Sequence, residues 1–542
     1  MTGKNANQIP ILCFLLITAG LKLLLLAFER VPFNSDEAIV ALMARHIVLK
    51  SERPIFFYGQ AYMGSLDAFL VALGFSVFGM KVEVIRGVQI LLYINVIITT
   101  VEIARMVFMP STGKWFTAAL LAIPTVNVTL YTTVSLGGYG EALLIGNLIL
   151  LNGLKVVQHI EDNKISSCAR LFTLLGLFIG LGVWANGITL VYAIPTSCGI
   201  LWIMYVKRKQ LRIQPVLLWV GLFFLGCVIG SLPWWIYAAQ HGLKQLLAEL
   251  LGMAVSVEQT SWLVQVGMHL FSLVVLGGTV LLGLRPPWEV RWLALPLAPF
   301  VFVFWIGVVW IWWRMVFKSQ TKNISLYILT GVVLTLAVGF VFTPFGVDPS
   351  GRYFVPIWVI LSLIAGEVVT RLECRLVYKV MIVGIVLVFN LWGTVQCAIR
   401  YPPGLTTQFD VVTQLDHRYM PALISFLKQQ NETRGYTNYW VAYPMAFLSD
   451  EEVIFVPRLP YHHDLRYTPR DDRYSAYTEL VNTSQRIAYI TTNNPALDDY
   501  LVKKFKELSM SWQEEYIGDY HIYYNLSQVL HPQDIGLGDL RP

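Results

Sequence analysis

"FNSDEAIVALMARHI", residues 33–47, decides how this chain is read. It sets two adjacent acids, Asp36 and Glu37, directly after an apolar run, Ile11–Phe28, that is long enough to be a membrane helix. Acids at that point cost free energy unless water, a partner or a substrate meets them. Asn34 is a good N-cap, and Glu37 three residues later makes a capping-box-like start. Ile39, Val40, Met43, His46 and Ile47 then form one face, with Glu37, Ala41 and Arg45 on another. The pattern predicts an amphipathic helix lying on the outer membrane surface. On local grounds Asp36 and Glu37 are first-turn acids favoured by the helix dipole; the rest of the chain gives them a second reading.

The chain has 542 residues, 56% hydrophobic and only 14% charged, where a soluble protein carries about a quarter charged. It also has 17 Trp, 26 Tyr and 29 Phe, rings of the kind that sit at membrane interfaces. This is a polytopic membrane protein. The net charge of +6 is spread in small clusters rather than one basic patch, which argues against nucleic acid as a partner. Cys13, Cys168, Cys198 and Cys227 lie in or beside apolar runs without metal-type spacing, so neither a disulfide framework nor a zinc site is expected. "FERVPFN" follows the first apolar run where a small-residue cleavage site would stand, which makes that run a retained signal-anchor helix.

Twelve apolar runs approach spanning length: near 11–28, 87–108, 115–135, 141–157, 171–185, 187–205, 215–237, 265–284, 292–313, 325–345, 353–370 and 379–399. Arg105 with Lys114, then Lys155, Lys164 and Arg170, then "KRKQLR" at 207–212, then Arg314, Lys318 and Lys322, and finally Arg371, Arg375 and Lys379 mark cytoplasmic ends. The N-terminus then lies inside, and residues 29–86 form a long first external loop. Twelve spans would return the tail to the inside, whereas the last basic cluster places it outside. The expectation is therefore 11 to 13 spans, with 240–313 the doubtful region and "LLAELLGMAVSV" a candidate interfacial helix. Lys22, within the first run, is expected to snorkel, and Glu102 to pair with Arg105 one helical turn on.

From Tyr401 the chain becomes rich in charge and turns. "EVIFV", "RIAYITT" and "DYHIYY" alternate as strands do, and "ALDDYLVKKFKEL" has the period of an amphipathic helix. Residues 1–400 are thus a transmembrane domain and 401–542 a soluble, extracytoplasmic α/β domain. The first loop is unusually oily for a loop: "RPIFFYGQAYMGSLDAFLVALGFSVFG" at 53–79 joins an aromatic turn to an apolar segment bearing Asp67. Such a loop must pack against membrane or protein.

The acid pair after the first span, the helix ending "ARHI", the "P-FFYGQ-YMGSL" segment, "PWW" at 233–235, "DPSGRYFVP" at 348–356 and "YTNYWVAYPMAFLSDEEVIFVP" in the tail together resemble GT-C-type glycosyltransferases. Within these, the chain is most similar to the bacterial polyprenyl-phosphate-sugar-dependent enzymes related to protein O-mannosyltransferases and the lipid A aminoarabinose transferase. The resemblance implies a mainly α, polytopic membrane helix bundle of GT-C type with a long first external loop and a C-terminal soluble α/β domain. It also implies a multi-pass protein of the bacterial plasma membrane that passes sugar from a polyprenyl-phosphate carrier to a lipid, glycan or protein acceptor, with membrane lipids as further partners and no cofactor. Under it, Asp36 matches the first acid of the family's pair and is the candidate general base. Glu37 is the second candidate or a structural cap. Arg352 is placed to pair with the carrier phosphate or, alternatively, with Asp348 or a lipid headgroup. Tyr353 is a hydrogen-bond donor to the same group or a member of the aromatic belt. Where the lipid A enzymes carry Lys-Pro-Pro, this chain has "YGQAYMG", so Tyr58, Gln60 and Tyr62 line the chamber without charge. Glu141, in "SLGGYGEALLIG" at 135–146, matches a second acidic position.

Two other readings remain at this level. A transporter or flippase of lipid-linked sugars would line a path with intramembrane charges, whereas the polar residues here concentrate in one loop and the tail. A non-catalytic scaffold of the same fold that only binds lipid-linked sugar has the same sequence pattern. His462 and His463 lack further ligands in metal spacing, and no phosphate-cradling Gly-Lys-Ser/Thr loop occurs.

Overall fold

Hydropathy dominates the architecture. The computed structural model describes residues 9–108, 113–164, 167–250, 261–317, 323–348, 350–462 and 464–537. Among them eleven helices are long and apolar enough to cross a membrane: Pro10–Ala27, Val82–Val107, Tyr139–Glu161, Cys168–Ala185, Gly187–Val206, Ile213–Gly230, Trp262–Leu281, Leu295–Phe317, Ile324–Phe342, Arg352–Arg371 and Leu376–Ile399. The run expected at 115–135 is not one of them. Pro124 breaks it into Gly113–Ala122 and Val126–Tyr131, because proline has no amide hydrogen and its ring disfavours a helical residue before it. Among the described residues it is therefore this run, and not one in 240–313, that fails to form a single long helix. A helix Leu243–Leu250 covers the start of "LLAELLGMAVSV", and residues 251–257 of that segment lie outside the described residues.

The chain divides into two compact units that are not contiguous in sequence: residues 1–27, 62–67 and 86–397 form one, and residues 28–61, 68–85 and 398–542 the other. Most of residues 29–86 thus group with the tail.

In the first unit, helix 355–371 is the core, with Val355–Val369 buried throughout. Helices Cys168–Ala185 and Ile213–Gly230 approach most closely, through glycines one turn apart on each. A methyl on Gly226 would meet the Thr173 carbonyl and lie 2.8 Å from the Leu177 amide; Gly176, Gly180 and Gly230 face the opposing backbone in the same way. Small residues let membrane helices gain packing that lipid cannot replace. Glu102 and Arg105 pair within their helix. Lys22 does not snorkel. It is 2% exposed, and its ammonium donates to the Thr132 carbonyl at 2.6 Å, the Thr132 hydroxyl at 2.7 Å and the Thr133 hydroxyl at 2.9 Å. The end of the Pro124-interrupted segment thus supplies an acceptor for each of its three protons.

In the second unit, helix Ser35–Leu49 is followed by strands β1 (Phe56–Phe57) and β2 (Gln60–Gly64), which form a two-stranded sheet, and by helix Leu66–Phe78, which enters the unit at Ala68. The tail adds β3 (Arg434–Thr437), β4 (Ile454–Pro457), β5 (Ala488–Thr492), β6 (Gln513–Ile517) and β7 (Tyr520–Tyr524) in the order β4-β3-β5-β7-β6. The first three are parallel, with helices Tyr439–Leu448 and Ser475–Asn482 in the connections, while β7 pairs antiparallel with β5 and β6. Leu423, Leu427, Val441, Met445, Phe455, Ile490 and Ile522 form the core of this α/β layer.

The helix-pair contact is directly testable. Gly226→Ala should destabilise the protein, by about 1–3 kcal/mol of overpacking. Gly221→Ala, on the same helix with nothing within 4 Å of the added carbon, should leave the melting temperature in detergent unchanged or slightly raised.

Candidate functional site

Local capping builds the acid-bearing helix start. Asn34 accepts a hydrogen bond from the Glu37 amide at 2.9 Å, so the helix begins at Ser35 with Asp36 and Glu37 in its first turn, as the spacing predicts. Its surroundings differ from the expectation of a surface helix. Residues from both faces are buried, Glu37 with them at 0% exposure, because the tail helix Tyr439–Leu448 packs along it. Asp36 alone of the acid pair keeps partial exposure.

Tyr439 meets Asp36. Its hydroxyl donates to Asp36 Oδ1 at 2.5 Å, and the Ser35 hydroxyl donates back to the Tyr439 carbonyl. Asp36 Oδ2 has no hydrogen-bond partner among the described residues. Burial, then the negative charge of Asp36, pushes the Tyr439 hydroxyl well above its ordinary pKa, which keeps it a donor. Asp471, in the segment "PRDDR" of the same unit, is pushed up to about 7, first by burial; Arg473 opposes the rise and the Asp36 charge adds to it. The Asp471 carbonyl accepts from Tyr443 at 2.9 Å, and Tyr443 accepts from the Arg473 amide at 2.6 Å. The guanidinium of Arg473 lies 5.5 Å from the Tyr439 ring.

The other end of the same helix is held by charge. Arg45 pairs with Asp450 at 2.5 Å and with Glu451 at 3.3 Å, and Lys50 with Glu451 at 3.2 Å. His46 Nε2 lies 3.0 Å from Glu451 and Nδ1 3.0 Å from the Tyr58 hydroxyl. Tyr58 itself donates to Glu52 at 2.5 Å and stacks on Tyr474 at 4.8 Å. The hydroxyl expected to line a chamber is thus engaged in this network. Gln60 is half-buried on β2 beyond the turn at Gly59, which has φ +70; there an added methyl would stand 3.2 Å from Arg473 Cα.

The first unit holds the remaining candidates in two groups. Glu141 is 2% exposed in the first turn of helix Tyr139–Glu161, and neither carboxyl oxygen has a hydrogen-bond partner among the described residues. It interacts electrostatically with Asp67, also 2% exposed, which accepts from Gln89 at 2.8 Å and from Ser135. Arg352 follows Gly351, whose φ of +91 and tight fit beside Asn127 leave no room for a side chain. Arg352 pairs with Asp348 while its side chain stays 41% exposed, and its guanidinium lies 5.1 Å from the Tyr353 ring. Tyr131 and Tyr139 interact electrostatically with Arg352, and Tyr62 with Tyr139 and Tyr353. Tyr62, Arg352 and Tyr353 are therefore neighbours. His462 approaches Asp410 at 3.6 Å; His463 lies outside the described residues, among which no group of three His, Cys, Asp or Glu is arranged to hold a metal.

Sequence reasoning missed Tyr439, Asp471 and Arg473. Only the doublet Asp471–Asp472 offered a signal. Asp67 was visible as the lone acid of an apolar segment.

No protein-family model and no curated protein matches the chain. Solved structures do. ArnT from Cupriavidus metallidurans bound to undecaprenyl phosphate superposes with a TM-score of 0.60 at 11% identity, over 94% of this chain and 98% of that one. The Archaeoglobus fulgidus oligosaccharyltransferase in complex with zinc and sulfate gives 0.51 at 12% identity, over 89% and 67%. Archaeal oligosaccharyltransferase AglB from Archaeoglobus fulgidus, with an inhibitory peptide and a dolichol-phosphate, gives 0.50 at 12%, over 96% and 74%. The chain has the GT-C fold: a multi-pass membrane helix bundle with a small C-terminal sheet domain.

Glu451 makes the second unit sensitive to acid. Burial alone would raise its pKa, but the bond and charge of His46, then Tyr477 and Lys50, hold it down to about 2. Its contribution is full above the unfolded value near 4.5 and is lost as pH falls through about 2. The melting-temperature gap between wild type and Glu451→Gln should be wide at pH 6 and narrow steadily below about pH 4.5.

Proposed function

We propose that the chain is a membrane glycosyltransferase that passes a sugar from a polyprenyl-phosphate carrier to an acceptor hydroxyl at the outer face of a bacterial plasma membrane. The observation that carries this reading is the likeness in fold along nearly the whole of both chains to ArnT, whose structure holds undecaprenyl phosphate. The basic clusters described above support an orientation with the tail domain outside, and so does the odd number of candidate spans, eleven among the described residues.

The chemistry asks little acid catalysis of the protein, because a phosphate monoester leaves as a stable anion. It does need a base for the acceptor. In the proposed step the acceptor oxygen bonds to the anomeric carbon while the bond from that carbon to the phosphate oxygen breaks. The bonding pair leaves with the polyprenyl phosphate, and the acceptor proton passes to Asp36 Oδ2. Glu37, buried in the helix, acts as a structural residue. Arg352, half-exposed despite its Asp348 partner, binds the carrier phosphate, with Tyr353 and Tyr62 donating beside it. Gln60 contacts sugar hydroxyls, and Tyr58 holds the segment that carries it; Glu141, 2% exposed, acts from within the bundle and not by touching the sugar. The acceptor is a lipid, glycan or protein hydroxyl.

Asp36→Asn keeps the size and much of the preference for a helix start and removes the proton acceptor. Transfer from undecaprenyl-phosphate-linked sugars should fall roughly 10²–10⁴-fold with melting temperature nearly unchanged; near-normal transfer would refute the base assignment. Arg352→Ala should raise the donor KM about 10- to 100-fold, the loss of a charge-assisted phosphate contact. An unchanged KM in folded protein would return Arg352 to a purely structural pair with Asp348.

A further inference from the structure

We infer that Tyr439 is a positioning residue for the transfer step, pinning the Asp36 carboxylate through Oδ1 so that Oδ2 receives the acceptor proton. The tail is then part of the catalytic apparatus. The inference rests on the assignment of Asp36 as the base.

A carboxylate rotates easily about its last bond, since that torsion has broad minima. A base that swings presents the wrong lone pair for part of the time, and proton transfer needs hydrogen-bond reach of one defined oxygen. The 2.5 Å bond from Tyr439 removes that freedom at Asp36. The tyrosine is itself held. Asn438 caps its helix by accepting from the Trp440 amide at 3.0 Å and donates to Thr492 at 2.8 Å. The Tyr439 ring packs against Trp440 at 5.1 Å and Tyr443 at 5.6 Å, with 3% of the residue exposed. The Ser35 hydroxyl on the Tyr439 carbonyl makes a second tie at the residue next to Asp36. Two helix starts are thereby locked together at two points.

Structural needs alone do not account for the bond. Asn34 already caps the Ser35–Leu49 helix, and Arg45, His46 and Lys50 dock its far end on Asp450 and Glu451. A buried tyrosine hydroxyl requires an acceptor, yet a backbone carbonyl would serve. Here it is given to a partly exposed carboxylate whose other oxygen is unbonded among the described residues. The arrangement matches general-base sites in which a neutral donor orients a carboxylate without neutralising it.

The test is a double-mutant cycle in the full-length protein, following release of undecaprenyl phosphate from undecaprenyl-phosphate-linked hexoses and pentoses as the sugar passes to water, whose proton goes to Asp36. Tyr439→Phe removes one oxygen and keeps the packed ring. It should lower kcat about 10- to 100-fold, with donor KM within about twofold and melting temperature little changed. In the Asp36→Asn background the same change should cause no further loss, because Tyr439 acts only through Asp36. Ser35→Ala, which leaves the hydroxyl bond in place, should keep kcat within a few-fold of wild type, so a larger loss from Tyr439→Phe belongs to the hydroxyl and not to loosened helices. Losses that multiply in the double mutant overturn the inference. Wild-type kcat in Tyr439→Phe alongside an inactive Asp36→Asn overturns it too, while the base assignment stands. Full activity in Asp36→Asn, or no release by wild type from any of these donors, removes the base assignment and the inference together.

Discussion

Helix Ser35–Leu49 carries Glu37 and His46 into a protein interior and leaves Asp36 and Arg45 at its edge, and that one constraint organises the second unit. Buried charge is tolerated only where partners replace water. The partners come from sequence about 400 residues away: Tyr439 for Asp36, Asp450 and Glu451 for Arg45, Glu451 for His46. All three partners are polar residues of one stretch of the tail: Tyr439 begins the helix Tyr439–Leu448, and Asp450 and Glu451 lie in the turn after it. Phe33 and Phe75 pack on Phe447 between them, at 5.7 and 6.0 Å. Apolar contact supplies the area, and the polar ends set the register.

The first unit solves the same problem differently. Its intramembrane lysine is met by a broken helix and not by an acid. Each proton of Lys22 reaches a threonine oxygen at the end of the segment that Pro124 interrupts. Thr132 ends the second piece of that broken segment, and a helix-end carbonyl has no amide of its own helix to bond. The failure of 115–135 to form one span and the failure of Lys22 to reach the membrane surface are two sides of one arrangement.

Much of the fold was legible because long apolar runs leave few alternatives: eleven of the twelve expected runs appear as spans. Strands β4, β5 and β7 and the helix Pro495–Glu507 also fall where periodicity put them. β6, "QEEYI", was not, since an exposed edge strand has no apolar face to alternate. The helix Tyr439–Leu448 holds Pro444 within an aromatic run, and only tertiary burial makes it a helix. The candidate site divides along the same line. Asp36 stood out by its position after a span, and Arg352 by its glycine-marked turn. Tyr439 did not, because its meaning lies wholly in a partner that no local pattern reveals.

Two carboxyl groups of the second unit are pushed in opposite directions, and the causes differ. Glu451 is surrounded by cations and donors and held down to about 2, whereas Asp471 is buried beside another acid and held up to about 7. Divergent shifts within one unit separate an acid held in an ion-pair network from one buried beside another acid. In the proposed reaction the difference matters at Asp36. Below about pH 7 Asp471 keeps its proton and adds no charge beside the base. Above it a second negative charge arrives, countered by Arg473, whose guanidinium lies over the Tyr439 ring. Two negative charges held that close repel each other, which is why the Asp36 charge adds to the rise at Asp471.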